Sequence, residues 1–183
     1  MKNIYTEKYF KFFSSELKTL DIKSFEAIVN VFNKIKRNKK KVILIGNGGS
    51  AAMSSHVSVD LTKQCGIRAI NFNEADLITC FANDYGYEKW IEKTIDFYAD
   101  KNDILILISS SGKSKNMINA CKAAKRKKIS KIITLTGSKK NNPLSKLGDI
   151  NLWVDSNIYN HIENIHQIWL LSICDLIKLN KVK

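Results

Sequence analysis

Short apolar runs alternate with amphipathic segments along most of this chain. The apolar runs predict five strands, at residues 41–45, 68–70, 104–108, 131–135 and 151–154. Between them, apolar residues recur at helical spacing and predict helices at residues 51–63, 75–82, 87–98 and 115–126. Strands that alternate with helices indicate an α/β fold, with a five-stranded parallel sheet flanked by helices on both faces. Ligands of such sheets bind at the carboxyl ends of the strands.

Further amphipathic helices are predicted before and after this region. A helical pair comes first, at residues 5–17 and 22–36, and a last helix covers residues 160–179. The last helix is apolar over most of its circumference, so we expect it to be buried on more than one side. The chain has 183 residues, of which 44% are hydrophobic, and this length suits one well-buried domain. We therefore expect a symmetric homo-oligomer in which subunits bury the last helix. The single domain spans residues 1–183, with packing helices at 1–39 and the α/β core and last helix at 40–183.

Glycine and serine are concentrated in the two loops that follow the first and third predicted strands. Glycine lets the backbone approach an anion, and the N–H groups that begin the next helix point toward it. Serine-capped turns would explain either loop alone, but they explain the pair less well. We therefore expect the two loops to hold one sugar phosphate. Their candidate substrate-binding residues are Asn47, Gly48, Ser50, Ser109, Ser110, Ser111 and Ser114.

Nucleotide-binding motifs match these loops only in part. The glycines of the first loop have dinucleotide spacing, but Asn71 and Asn73 stand where an acidic residue would hold the ribose. The run from Gly112 to Ser114 resembles the end of a Walker loop, whose first glycine would fall at Leu107 inside a strand. We therefore expect no nucleotide cofactor.

The chain is strongly basic, with 30 Lys and Arg against 17 Asp and Glu and a net charge of +13. The cations cluster at the ends of predicted helices, where they complement the helix dipole, and no stacking aromatic residues are interleaved with them. We therefore expect a solvated face and no nucleic-acid partner. No apolar stretch approaches the ~20 residues of a membrane span, and the first residues lack a signal-peptide core. These features indicate a cytoplasmic protein without a membrane partner, and the four scattered cysteines fit small core residues in a reducing compartment.

Several motifs together resemble the SIS (sugar isomerase) domain family, most closely its phosphoheptose isomerases. They are Gly46-Asn-Gly-Gly-Ser-Ala51, His56 with Asp60-Leu-Thr62, Asn83-Asp-Tyr-Gly86, Ile108-Ser-Ser-Ser-Gly-Lys-Ser114, Leu135-Thr-Gly137 and Ile162-Glu-Asn-Ile-His166. The resemblance implies conversion of sedoheptulose 7-phosphate to D-glycero-D-manno-heptose 7-phosphate, for lipopolysaccharide or capsule synthesis. It also implies a tetramer with sites at subunit interfaces. By resemblance, Asn47 and Asp84 contact the sugar, and the phosphate is held by Ser50, Ser109, Ser111 and Ser114.

The chemistry of an aldose–ketose isomerase needs a base that moves a proton between C1 and C2 and an acid that serves the oxygens. In the phosphoheptose isomerases, a His-x-x-x-Glu pair combines with a Gln and a His of the last helix, and these four can also bind zinc. In this chain the pair is His56 and Asp60, which share a helix face at i, i+4. The Gln position is Glu163, and the His position is Leu171. The candidate catalytic residues are therefore His56, Asp60 and Glu163.

Three interpretations follow, in this order of preference. In the first, the protein is an isomerase with Glu163 or Asp60 as the base and His56 or a zinc ion as the acid. His56, Asp60 and Glu163 would then be the zinc ligands, with one position open for substrate or water. In the second, it binds a sugar phosphate without turnover, as do the SIS proteins that associate with a bacterial replication initiator. In the third, it isomerises another sugar phosphate, with His161 or His166 as the acid.

Overall fold

The computed structural model describes residues 2–179. Within these residues the strands are β1 (Lys41–Gly46), β2 (Arg68–Ile70), β3 (Ile104–Ser109), β4 (Lys131–Thr136) and β5 (Ile150–Trp153). The helices are α1 (Lys2–Glu16), α2 (Ile22–Arg37), α3 (Gly49–Lys63), α4 (Ala75–Tyr85), α5 (Trp90–Tyr98), α6 (Lys115–Arg126) and α7 (Tyr159–Leu179). This order of elements confirms the predicted α/β fold with a helical pair first and a long helix last.

All strands lie parallel in one sheet, in the order β2-β1-β3-β4-β5. The chain passes from β1 outward to β2 and then returns to the other side of β1 to form β3. Gly46 of β1 pairs with Ile108 of β3 at the carboxyl ends of these two strands. The sheet therefore reverses its direction of growth between β1 and β3, and this is where open α/β sheets bind their ligands.

Both faces of the sheet are covered by helices, because the strands are apolar on both sides. Val42 and Leu44 belong to a buried cluster that includes residues of α2, α3 and α7. Ile43 and Ile45 point the other way, into a cluster that includes residues of α5 and α6. This alternation is the period of two that a strand imposes on its side chains. The apolar runs of β1, β3 and β4 therefore correspond to strands buried on both faces, whereas β2 at the edge of the sheet is partly exposed.

Several predicted helix boundaries were wrong, and the backbone around glycine explains them. The helix predicted at 51–63 begins earlier, at Gly49, directly after Gly48, whose φ is 57°. The helix predicted at 75–82 continues to Tyr85 and ends at Gly86, whose φ is 86°. Asp84 therefore lies in the last turn of α4 and not in a loop. The helix predicted from residue 87 begins only at Trp90.

The apolar circumference of α7 is covered largely within its own chain. Its buried residues join the cluster formed by α2, α3 and one face of the sheet, and α1 packs near its first turns through the contact of Phe12 with His161. Ile168 and Leu176 remain exposed. Elements of the same subunit therefore bury most of the apolar surface of this helix, and the expectation that other subunits cover the rest stays a prediction.

Other sequence expectations can be read directly from burial. Cys65, Cys121 and Cys174 are buried and Cys80 is exposed, and these cysteines form no disulfide within residues 2–179. Burial raises the pKa of Cys121 to about 12, so this thiol is inert at neutral pH. Across residues 2–179, no helix combines the length and the apolar composition needed to cross a membrane.

Candidate active site

A cavity of about 120 Å³ opens at the carboxyl ends of β1 and β3, where the sheet reverses its direction of growth. It is lined by Asn47, Ser50, Ile108, Ser109, Ser110, Ser111, Ser114, Tyr159 and Glu163. We call it the serine cavity. The two loops that the sequence singled out therefore meet at one place, because β1 and β3 are neighbours in the sheet although they lie far apart in the chain.

The loop after β3 presents several hydroxyl groups to the serine cavity. The Oγ atoms of Ser109 and Ser114 lie 3.5 Å apart. The Oγ atom of Ser110 is buried and has no hydrogen-bond partner within residues 2–179. Gly112 has a φ of 63°, which turns the chain back so that Ser114 precedes the first residue of α6. Hydroxyls at the starts of α3 and α6, together with the backbone N–H groups of those helices, suit an anion such as phosphate.

Asn47 lies on the wall of the serine cavity, and its side chain is fixed by two neighbours. Its amide exchanges hydrogen bonds of 3.0 and 3.3 Å with Asn116. The hydroxyl of Tyr87 also donates to Asn47 Oδ1 at 3.2 Å. Sequence reasoning missed Asn116 and Tyr87. Asn116 could have been noticed in the sequence, because it is a polar residue two positions after the serine loop. It lies on the face of α6 whose other residues are apolar and buried.

Glu163 is the only carboxylate among the described residues that line the serine cavity. It projects from the second turn of α7 against Gly49, the first residue of α3, and a Cβ atom at Gly49 would collide with its Oε2. Burial raises the pKa of Glu163 above its usual 4.5. The site thus holds one carboxyl group that exchanges its proton closer to neutral pH than an exposed glutamate does.

The predicted pair of His56 and Asp60 lies further along α3, next to a later turn of α7. His56 Nε2 is 3.6 Å from Asp60 Oδ2, as expected for residues at i, i+4. His56 Nδ1 is 3.2 Å from the amide nitrogen of Gln167 on α7. Sequence reasoning missed Gln167, although it lies one turn after Glu163 on the same face of α7. Leu171 follows one turn later and packs against the core.

The three residues offered as zinc ligands do not come together within one chain. Along α3 and α7, Gly49 lies beside Glu163 and His56 lies beside Gln167. Since seven residues separate Gly49 from His56, a helical rise of 1.5 Å per residue places these two contacts about 10 Å apart. Zinc ligands must all lie about 2 Å from the metal. No three His, Cys, Asp or Glu residues in the described part of the chain are grouped for a metal, so we assign no step of the reaction to zinc.

Two further histidines were candidates for the acid, and the structure places both outside the serine cavity. His161 stacks on Phe12 of α1, with ring centroids 4.2 Å apart. His166 is fully buried, and its Nε2–H donates to the carbonyl oxygen of Thr136 at 3.1 Å. Burial lowers the pKa of His166 to about 4. Both side chains therefore pack within the fold, and the third interpretation loses its acid within this subunit.

Two predicted substrate-binding residues do not line the serine cavity. Asp84 is exposed at the end of α4, where its carboxylate accepts a hydrogen bond from the side chain of Asn83. It lies there because Gly86, and not Asn83, ends the helix. Gly48 contributes only its backbone, whose carbonyl oxygen accepts from the N–H groups of Ala51 and Ala52 and so starts α3.

Comparison with known proteins gives a consistent result. The model of the SIS domain matches residues 7–137. The phosphoheptose isomerase of Aliarcobacter butzleri is 38% identical over 147 residues, which are 77% of this chain and 77% of that protein. Among solved structures, a phosphoheptose isomerase from Francisella tularensis is 25% identical, covers 97% of this chain and 96% of its own, and has a TM-score of 0.87. A phosphoheptose isomerase from Neisseria gonorrhoeae is 26% identical, covers 96% of both chains and has a TM-score of 0.86.

Proposed function

This chain belongs to the SIS domain family and groups with its phosphoheptose isomerases, and on that premise we propose that it interconverts sedoheptulose 7-phosphate and D-glycero-D-manno-heptose 7-phosphate. The observation that carries the proposal is the serine cavity, where hydroxyls for a phosphate and one carboxyl group of raised pKa share a single space. The product would supply heptose for a bacterial surface polysaccharide, lipopolysaccharide or capsule, in the cytoplasm.

The serines anchor the substrate by its phosphate. Ser50 at the start of α3 and the hydroxyls of Ser109, Ser111 and Ser114 surround the position where the starts of α3 and α6 converge. Hydrogen bonds from hydroxyl and N–H donors to a charged phosphate are among the stronger ones in proteins. Anchoring at one end orients the sugar chain, so that its other end, with C1 and C2, is presented to a fixed set of groups.

Glu163 is the proton carrier that the geometry favours. As a carboxylate it takes a proton from C1 of the ketose while the oxygen on C2 gains a proton, which gives an enediol. The same carboxyl group then returns its proton to C2 while the hydroxyl on C1 loses one, which gives the aldose. Asp60 lies ten residues beyond Ser50 on α3, a rise of about 15 Å, and it does not line the serine cavity.

His56 also lies outside the serine cavity, about 10 Å along α3 from the contact of Gly49 with Glu163. It is proposed to hydrogen-bond oxygens of the sugar chain beyond the cavity, and Gln167 is proposed to position it. If the amide of Gln167 donates to His56 Nδ1, the Nε2 atom carries the imidazole proton on the side facing Asp60. A hydrogen bond to one ring nitrogen of a histidine commonly fixes its tautomer in this way. Gln167 would then stand in for part of the function that the phosphoheptose isomerases assign to a histidine at the position of Leu171.

The direct test is turnover of sedoheptulose 7-phosphate by the purified protein, with the aldose product followed by NMR. Formation of the aldose at a rate proportional to enzyme concentration supports the isomerase. Saturable binding of the sugar phosphate without product would instead favour the second interpretation, a binding module that has lost catalysis together with the histidine at position 171.

Replacing Ser111 with alanine is expected to raise KM about tenfold and to change kcat less than twofold. The reason is that phosphate contacts act equally on ground state and transition state, and their loss weakens binding uniformly. Steady-state kinetics of Ser111→Ala measures this, with Ser130→Ala as the matched control because Ser130 is exposed near the amino end of β4. An unchanged KM in Ser111→Ala would place the phosphate elsewhere.

Replacing Gln167 with alanine is expected to lower kcat about tenfold with a small change in KM, because a freed imidazole samples unproductive orientations. Asn164→Ala, on the exposed side of α7, is the control and should keep the activity of the parent. Gln167→Glu gives a second readout, because glutamate keeps the size of the side chain but its carboxylate cannot donate a hydrogen bond to His56 Nδ1. It should therefore lower kcat as Gln167→Ala does, whereas a role in packing alone would tolerate it. A kcat in Gln167→Glu equal to that of the parent would contradict the positioning role.

A homo-oligomer, a tetramer in particular, is proposed on the same premise. Large apolar side chains remain exposed in several regions of the subunit, among them Ile4, Tyr5 and Phe10 on α1 and Tyr85, Phe97 and Tyr98 on α4 and α5. Exposed apolar surface of this kind is typical of subunit interfaces. Light scattering coupled to size-exclusion chromatography measures the mass, and a monomer of 20.8 kDa would contradict the proposal.

A further inference from the structure

A second and larger cavity, of about 570 Å³, lies at the β5 edge of the sheet. We call it the edge cavity. It shares no lining residue with the serine cavity. Its walls come from the connection between α1 and α2, the segment between β4 and β5, β5 itself and α7. The lining residues are Glu16, Thr19, Leu20, Asp21, Lys140, Asn141, Ser145, Lys146, Asn151, Leu152, Trp153, Asp155 and Trp169.

Two polar side chains of the edge cavity are held in fixed orientations by the fold. Glu16 is only 8% exposed, and its Oε1 accepts the backbone N–H of Asp155 at 3.0 Å. Asn151 Oδ1 accepts the hydroxyls of Thr134 and Thr136 at 2.8 and 3.0 Å. These contacts fix which end of the Asn151 amide is which, and its NH₂ group is left to donate. The wall thus offers one oriented acceptor and one oriented donor, a pairing suited to the hydroxyl groups of a carbohydrate.

The remaining wall supplies aromatic surface and charged side chains of both signs, because Asp21 and Asp155 line it together with the two lysines. The carboxylate of Asp21 is already engaged, since it accepts the backbone N–H groups of Lys23 and Ser24 at the start of α2. Trp169 is 3% exposed, and its Nε1–H is buried without a hydrogen-bond partner within residues 2–179. Lys140 Nζ lies 5.4 Å from the ring centroid of Trp153. Neither Lys140 nor Lys146 forms an ion pair in the described part of the chain. Two lysines free of carboxylate partners are suited to an anionic group, and an indole face is suited to the apolar side of a sugar ring.

We propose that the edge cavity binds a second ligand, a monosaccharide that carries an anionic substituent such as a phosphate. Its volume lies within the range of small-molecule sites. Lys140 and Lys146 contact the anionic group, and Glu16 and Asn151 contact ring hydroxyls. This site does not depend on the function proposed above, because none of its residues takes part in isomerisation.

The segment that supplies both lysines also touches the serine cavity's phosphate loop. Asn142, between Lys140 and Lys146, is 2% exposed and packs its side chain directly against Gly112. The backbone N–H of Leu144 donates to the carbonyl oxygen of Gly112 at 3.0 Å. A ligand that orders this segment therefore has a direct contact through which to act on the loop of Ser109 to Ser114.

Fluorine NMR of protein labelled with 5-fluorotryptophan tests the proposal, because the chain has 3 tryptophans. Trp153 and Trp169 line the edge cavity, whereas Trp90 is buried beneath the other face of the sheet and serves as the internal reference. Titration with D-mannose 6-phosphate is expected to shift the first two signals saturably and to leave the third unchanged. The double variant Lys140→Ala, Lys146→Ala should raise Kd at least about tenfold, since two charge-assisted contacts are lost. The control Lys139→Ala, an exposed neighbour outside the cavity, should not change Kd.

The same titration in Ser111→Ala separates the two cavities. The shifts of Trp153 and Trp169 should persist there, because the edge cavity is intact. A Kd raised about tenfold in Ser111→Ala, the change expected for the serine cavity, would mean that both shifts report that cavity, and it would overturn the proposal. No shift in the parent, or equal shifts and Kd with inorganic phosphate alone, would overturn it as well. The NMR titration needs no turnover. An inactive enzyme would therefore contradict the proposed isomerase without changing the conclusion about ligand binding in the edge cavity.

Discussion

Replacement of Glu163 with glutamine is expected to lower kcat for sedoheptulose 7-phosphate by at least about a hundredfold, the usual contribution of a positioned acid or base. KM should change by less than about threefold, because glutamine keeps the size and the hydrogen-bonding ability of the side chain. Only the ability to accept and return a proton is lost. Steady-state kinetics with NMR detection of the aldose measures both constants.

Asp60→Asn is the matched control for Glu163→Gln, because sequence alone leaves both carboxylates as candidate bases. The structure places Glu163 in the serine cavity and Asp60 outside it, so Asp60→Asn should retain most of the turnover. If Asp60→Asn loses the greater part of kcat while Glu163→Gln keeps it, Glu163 is not the base.

The pH dependence of the parent enzyme should carry the same information. A base acts only when it has lost its proton, so kcat/KM rises with pH through the pKa of Glu163. Burial raises that pKa, so this limb lies at higher pH than an exposed glutamate would give. Glu163→Gln should remove the limb together with most of the activity. An unchanged limb in the residual activity of the variant would assign it to another group.

Acidification is expected to destabilise the fold through His166. In the folded state burial lowers its pKa from 6.5 to about 4, while in the unfolded state the imidazole titrates near its usual value. The contribution of His166 to stability is therefore fully present above pH 6.5 and is lost progressively as the pH falls toward 4. At about 1.4 kcal/mol per pH unit, the lost free energy of unfolding is about 3 kcal/mol.

The variant His166→Gln isolates this contribution from that of the carboxylates. Glutamine can still donate a hydrogen bond to the carbonyl oxygen of Thr136, but it does not titrate. Urea unfolding at several pH values between 7 and 4 should show a shallower loss of stability in His166→Gln than in the parent. Parallel curves for the two proteins would show that the imidazole is not forced to remain neutral by the fold.

Much of the fold could be read from the chain because it depends on local periodicity. Strands buried on both faces, β1, β3 and β4, appear as short continuous apolar runs. All five strands were found within a residue or so of their observed ends, although β2 is partly exposed. Helix boundaries were less accurate at Gly49 and at Tyr85. At each of these two ends a neighbouring glycine of positive φ sets the boundary: Gly48 precedes Gly49, and Gly86 follows Tyr85. The sequence does not reveal which conformation a glycine adopts.

The candidate site shows the same division between sequence and structure. The serine loops were recognisable because glycine and hydroxyl residues follow strands at short range. That α7 brings Glu163 against Gly49 and Gln167 against His56 could not be read from the chain, since more than a hundred residues separate the members of each contact. The zinc ligand set was proposed from matching positions, but matching positions give no distance between helices.

The sequence by itself determined the α/β class, the two serine loops and the family, because these depend on composition and spacing within a few turns or strands. Only the tertiary structure decided which carboxylate shares the serine cavity, that His161 and His166 pack within the fold, and that a second polar cavity lies at β5. The physical reason is that these features depend on the relative placement of distant elements. That placement is set by the packing of side chains across the whole core, and no local pattern in the chain records it.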